Sequence, residues 1–151
     1  MSVYFVRHGK CTSKEINHNR PLTEEGRDEV TKTAYFLKNS RVIVSAIVHS
    51  GKERAKETAN IFAEKLEAIN EVSSIEGLAP LDSVSEFAQQ LDPKSNIMYV
   101  GHLPFMERII SHLLGKNEDI TVIKFQNSGI VCMDTDNKNW YVKWAVFPEL
   151  F

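Results

Sequence analysis

Apolar and polar positions alternate along the first two thirds of the chain in three similar units, each a short apolar run followed by a longer amphipathic stretch. Val3 to Val6 is the first run and reads as a strand. A helix is predicted from Thr23, a good N-cap, with Glu24 and Glu25 at its positive end and Val30, Ala34 and Leu37 on one face. It stops near Asn39 and Ser40. The second run, Val42 to Val48, is β-branched and predicts a buried strand; Ser50 and Glu53 then form a capping box that starts a helix with the stripe Ala55, Ala59, Phe62 and Leu66. The segment after it carries no assigned element. Ile97 to Val100 is the third strand, Pro104 occupies a first helical position, and Phe105, Ile109 and Leu113 continue a helix ending at Gly115. The tail breaks the rhythm. Val122 to Phe125, Ile130 to Met133 and Trp140 to Val146 are predicted strands, the last two joined by a polar turn containing Asp134, Asp136 and Asn137. Strand followed by helix three times predicts an α/β fold: a three-layer α/β/α sandwich with a mostly parallel central sheet and an antiparallel C-terminal edge.

Composition narrows the class. The chain has 151 residues, 42% hydrophobic and 25% charged, which is average for one packed unit, so a single domain over 1–151 is expected. Eighteen Lys and Arg against twenty Asp and Glu leave a net charge of −2, so no global field draws nucleic acid or an anionic membrane, and any anion site must be local. Val42 to Val48 is far shorter than the roughly 20 apolar residues that span a bilayer. No secretory signal precedes Val3, so a cytoplasmic location is expected. Cys11 and Cys132 lack C-x-x-C spacing and read as buried or bystander thiols of a reducing compartment.

In open α/β sheets ligands lie beyond the carboxyl ends of the strands. Here the first strand ends in Arg7, His8 and Gly9, the second leads into His49, Ser50 and Arg54, and the third ends in Gly101 and His102. Two arginines and two histidines therefore meet beside helix N-termini, a phosphate pocket in outline, because a guanidinium can bond two phosphate oxygens at once. Paired histidines also raise a metal site, but adjacent arginines repel a dication and no H-x-x-H or H-E-x-x-H spacing is present, so neither metal nor cofactor is expected. Ser50 lacks the G-x-S-x-G elbow of a nucleophilic serine and reads as a helix cap. His18 and His112 read as surface or helix-face residues, His49 as a neighbour of the pocket, and Lys10 and Lys52 as solvated charges.

The triplet Arg7-His8-Gly9 is accompanied by Arg20-Pro21-Leu22-Thr23 with Gly26, by Ser50 to Thr58 in the form S-x-x-x-R-A-x-x-T, and by Gly101-His102. Together these resemble the histidine phosphatase, or phosphoglycerate mutase-like, superfamily; the short length and the R-P-L-T segment are similar to its small phosphohistidine phosphatases of the SixA type. One departure is Gly51, where the family usually has Pro. The resemblance implies a phosphoglycerate mutase-like fold and a metal-independent phosphatase. It implies that His8 accepts the phosphoryl group and that water hydrolyses the resulting phosphohistidine. Arg7, Arg54 and His102 would bind the phosphate, Gly9 would let the backbone pass close to it, and Arg20 would reach the rim. Many members carry a carboxylic general acid after the second arginine; Glu76 is the preferred candidate here, with Asp82 and Glu86 as alternatives. The expected substrate is phosphohistidine in a protein. The alternatives are a small phosphorylated metabolite, as phosphatase or less readily as mutase, and a non-catalytic phosphate-binding module.

Overall fold

The computed structural model describes residues 1–67 and 71–150. Its elements are β1 (Val3–Arg7), α1 (Glu24–Asn39), β2 (Ala46–His49), α2 (Glu53–Leu66), β3 (Val72–Ser74), α3 (Val84–Ala88), β4 (Ile97–Gly101), α4 (Phe105–Leu113), β5 (Ile130–Thr135), β6 (Trp140–Val146) and a short 3-10 turn, Pro148–Leu150. Six strands form one sheet in the order β3-β2-β4-β1-β5-β6, the first four parallel and the last two antiparallel.

Alternation along the central strands explains the two helical layers. In β1, Val3 and Phe5 enter one core with Val84, Phe87, Phe105, Ile109 and Ile110, from α3 and α4. Tyr4 and Val6 enter the other, with Val30, Ala34, Leu37, Ala55, Ala59 and Phe62, from α1 and α2. Because side chains of a strand point alternately to its two faces, a four-residue apolar run serves both cores. The fold is therefore the predicted α/β/α arrangement with an antiparallel edge. Among the described residues no helix is long and apolar enough to cross a membrane.

Several local expectations are corrected. The second strand begins at Ala46, not Val42, because backbone groups just before it are bonded elsewhere: Val42 N–H to Leu37 O at 3.1 Å, and Ile43 O to the Tyr4 hydroxyl at 2.8 Å. Val122 to Phe125 forms no strand. There Glu107 Oε2 accepts from Phe125 N at 2.9 Å and Arg7 Nη1 donates to Phe125 O at 3.0 Å, so side chains replace a ladder. The unassigned middle holds β3 and α3, of three and five residues. Pro104 is the N-cap of α4, one position earlier than expected, and the polar turn after β5 begins only at Asp136. Thr23 caps α1 as predicted, accepting from Gly26 N at 2.9 Å.

Gly26 also sets how closely α1 approaches the loop after β1. A Cβ there would collide with the carbonyl oxygen of Lys10, which is backbone and cannot swing aside. Gly26→Ala should therefore destabilise the protein by about 1–3 kcal/mol, although alanine favours helix, and urea unfolding checks it.

Candidate active site

The parallel neighbours β2, β4 and β1 end side by side, which brings together residues that are far apart in sequence. His8 N–H donates to Gly101 O at 3.0 Å, so the loop after β1 continues along the end of β4. Arg7, His8, Lys10, Cys11, Arg20, Arg54, Pro80, His102, Leu103 and Asn127 line a cleft of about 390 Å³ at this edge. Arg7 leaves the last residue of β1, Arg54 the first turn of α2, and His102 the residue after β4. All four core candidates from the sequence, and Arg20, thus share one cleft.

The imidazole of His8 is buried, and its Nδ1 lies 2.7 Å from Gly9 O. A carbonyl oxygen only accepts, so Nδ1 carries the proton and Nε2 keeps its lone pair. Burial, and then the charges of Arg54, Arg7 and Arg20, push its pKa down to about 4, against a raising effect from the Gly9 bond. The ring is neutral at physiological pH. His102 lies beside it, with ring centroids 5.1 Å apart, and is held neutral in the same way, its pKa lowered to about 3 by burial first and then by His8 and the cations Arg54, Lys52 and Arg20.

Backbone and side-chain bonds fix the positions of these groups. Gly9 N–H donates to Thr58 Oγ1 at 3.0 Å, and the Thr58 hydroxyl donates to Arg54 O at 2.8 Å, tying the His8–Gly9 loop to the first turn of α2. Arg7 is oriented by Phe125 O, while Ser128 N–H donates to the carbonyls of Arg7 and His8 at 3.0 and 3.2 Å. Arg20, in a left-handed conformation with φ of 50°, donates from Nε to Thr12 O at 3.2 Å and approaches Cys11 Sγ at 3.5 Å. Buried Arg7 Nε, Arg54 Nε and His102 Nδ1 have no partner. Two guanidinium N–H donors and an imidazole nitrogen, all on residues that line a cationic cleft, make an arrangement suited to acceptor-rich tetrahedral oxyanions.

Of the other candidates, Lys10 lines the cleft and the rest fall outside it. Gly9 is buried, and a Cβ on it would press on Val30 and Leu22, so packing against α1 requires glycine there. Glu76, Asp82 and Glu86 line an adjoining cavity of about 570 Å³, together with Ser50. Asp82 Oδ2 accepts from Ala79 N–H at 2.9 Å, which occupies one oxygen in the local turn. Lys10 is exposed and paired with Glu25 at 2.6 Å. His49, the last residue of β2, is buried, and its Nδ1 accepts from Gly51 N–H at 3.1 Å. Gly51, with φ of 92°, supplies an N–H and a backbone angle that proline cannot provide, which accounts for its departure from the expected pattern. The capping role assigned to Ser50 is overturned: Lys52 is the N-cap of α2, without a side-chain bond, and Ser50 Oγ instead lies 2.6 Å from His102 Nε2. Sequence spacing favoured the cap because Glu53 follows at the right distance; only the β2–β4 pairing brings Ser50 to a residue 52 positions away. Among the described residues no group of three or more His, Cys, Asp or Glu side chains is placed to hold a metal.

Comparison with known proteins agrees with this arrangement. The family model of the histidine phosphatase superfamily (branch 1) matches residues 3–85, a segment that contains Arg7, His8, Arg20, Arg54 and Glu76 and ends before His102. An uncharacterised protein of Picosynechococcus sp. (strain ATCC 27264 / PCC 7002 / PR-6) is 30% identical over 112 residues, 69% of this chain and 67% of its own. Among solved structures, the protein histidine phosphatase SixA complexed with tungstate superposes with a TM-score of 0.83 over 99% of both chains at 22% identity. Phosphoserine phosphatase from Entamoeba histolytica, in complex with 3-phosphoglyceric acid, gives 0.68 over 95% of both at 18%. These likenesses show a shared fold.

The lowered pKa of His8 has a measurable sign. Its ring should titrate near 4 in the folded chain and near 6.5 in urea, as followed by NMR. Between those values the unfolded chain binds the extra proton, so this group lowers stability as pH falls from about 6.5 to about 4. Arg54→Met should raise the folded midpoint, but by less than unfolding does, because burial is the larger cause.

Proposed function

The chain belongs to the histidine phosphatase superfamily, and from that premise we propose that it is a metal-independent phosphatase whose phosphoryl acceptor is His8. One observation carries the reading: a neutral imidazole with a bare Nε2 stands in a cleft lined by three arginines. The Nε2 lone pair attacks phosphorus, a P–N bond forms, and the bond to the leaving group breaks. Arg7, Arg54 and His102 stabilise the phosphoryl oxygens, with Arg20 at the rim. Water then attacks phosphorus, the P–N bond breaks, and inorganic phosphate and neutral His8 are released. The guanidinium groups supply the positive charge a metal would otherwise bring, so dialysis against EDTA should leave activity unchanged.

Phosphohistidine in a protein is the substrate this site favours. An alkyl phosphate must expel an alkoxide and depends on a placed acid, whereas a phosphorylated imidazole leaves as a much weaker base. The cleft lining is cationic or neutral, and the candidate acids line the adjoining cavity. The SixA protein histidine phosphatase that shares this fold supports the same class. A small phosphorylated metabolite is the second reading, favoured by the Glu76-lined cavity beside His102's partner Ser50. A soluble, cytoplasmic setting fits either substrate.

Three outcomes are expected. His8→Ala abolishes turnover and the acid-labile phosphate trapped by neutral quenching, with the circular dichroism spectrum retained; substantial residual activity would remove the assignment. Arg54→Lys lowers kcat/KM by at least about 10²-fold, because charge remains but the two-pronged geometry is lost. The kcat/KM for phosphohistidine exceeds that for phosphoglycerate by at least about 10²-fold, and Glu76→Gln leaves it nearly unchanged. A better phosphoglycerate rate that Glu76→Gln destroys establishes the metabolite reading instead.

A further inference from the structure

Ser50 Oγ and His102 Nε2 are 2.6 Å apart, and the pair stands between the arginine cleft, which His102 lines, and the adjoining cavity, which Ser50 lines. The other ring nitrogen, Nδ1, is buried without a partner in a residue only 1% exposed. A second bond reaches the hydroxyl: Lys52 N–H points to Ser50 Oγ at 3.4 Å. With Nε2 engaged, Nδ1 is the nitrogen left to meet a phosphoryl oxygen.

We propose that Ser50 is a positioning residue that sets the tautomer of His102, donating its hydroxyl proton to Nε2 so that Nδ1–H is the donor to the bound phosphoryl group. The inference rests on reading the cleft as a phosphoryl site. Phosphoryl oxygens of a dianion accept and do not donate, so a ring that helps to hold them must present N–H. His102 is buried among cations and stays neutral, which means it has one ring proton to place. If that proton sat on Nε2, a lone pair would face the oxygens and repel them. If it sits on Nδ1, Nε2 must accept, and its partner must donate. Ser50 can donate while its own oxygen accepts from Lys52 N–H, because a hydroxyl has one proton and two lone pairs. A carboxylate at this place would instead draw a second proton onto the ring, and an apolar side chain would leave the tautomer undetermined. The residue acts through His102 and does not itself touch the phosphoryl group.

The test uses the full chain labelled with ¹⁵N-histidine and loaded with tungstate, whose tetrahedral oxyanion stands in for the phosphoryl group. Long-range proton–nitrogen correlation should show His102 protonated at Nδ1 and bare at Nε2. Ser50→Ala should lose that preference and weaken tungstate binding on the order of tenfold, the scale of a hydrogen bond to a charged group, whereas Ser50→Thr should restore both. An Nε2–H tautomer in the tungstate-bound wild type, or wild-type tautomer and affinity in Ser50→Ala, overturns the proposal. If Ser50→Ala does not fold, the wild-type spectrum and Ser50→Thr still decide it. The two readings separate as follows: an Nδ1–H ring with tungstate bound but no turnover of any phosphate compound keeps this role and ends the phosphatase reading, while failure of the wild type to bind tungstate overturns both.

Discussion

An imidazole kept uncharged next to three guanidinium groups is the constraint on which this edge of the molecule depends. A protonated His8 has no lone pair at Nε2. Two forces oppose protonation: burial withdraws the solvation an imidazolium needs, and Arg54, Arg7 and Arg20 raise the local potential. The same charges that would receive an anion thus keep the neighbouring ring nitrogen bare. Gly9 O completes the arrangement, since its bond with Nδ1 decides which nitrogen is free. The carbonyl works slightly against neutrality, but burial and the cations outweigh it.

Such a cluster of like charges must be held from outside, and the fold provides the restraint. Arg7 is anchored on Phe125 O, and the N–H of the same residue is held by Glu107, so α4 indirectly aims a guanidinium from β1. Glu107 also supplies a favourable charge to Arg7. Thr58, wholly buried, joins the His8–Gly9 loop to the carbonyl of Arg54. Among the described residues the buried polar side-chain atoms without a partner are Arg7 Nε, Arg54 Nε and His102 Nδ1, all on cleft-lining residues, together with Thr12 Oγ1 and Ser128 Oγ. Buried polar atoms without bonds oppose folding, and the two apolar cores on either face of the sheet offset them.

The division between the cleft and the adjoining cavity bears on substrate chemistry. Positive charge gathers on one side of the Ser50–His102 contact and the carboxylates Glu76, Asp82 and Glu86 gather on the other. The cationic lining and the acidic lining thus form separate walls. Proteins with this fold include one named a protein histidine phosphatase and one named a phosphoserine phosphatase, so the fold by itself does not choose a substrate.

Much of this was legible in the chain itself, because a strand that serves two cores must be an uninterrupted apolar run and an amphipathic helix must repeat its stripe. Val3 to Val6, the Thr23 cap and the stripes of α1, α2 and α4 follow directly. Arg7, His8, Arg54 and His102 were legible for a related reason: parallel strands place the residues after them at one edge. Short or side-chain-satisfied segments were not. β3 and α3 are too brief to show a period, and Val122 to Phe125 has strand-like residues whose backbone is taken by Glu107 and Arg7. Ser50 marks the limit most clearly. Its local spacing to Glu53 spells a cap, yet β2 pairs with β4 and carries its hydroxyl to His102 instead. Local periodicity and strand-end position are properties of sequence; which hydroxyl faces which ring nitrogen depends on sheet order, and only the tertiary structure decided it.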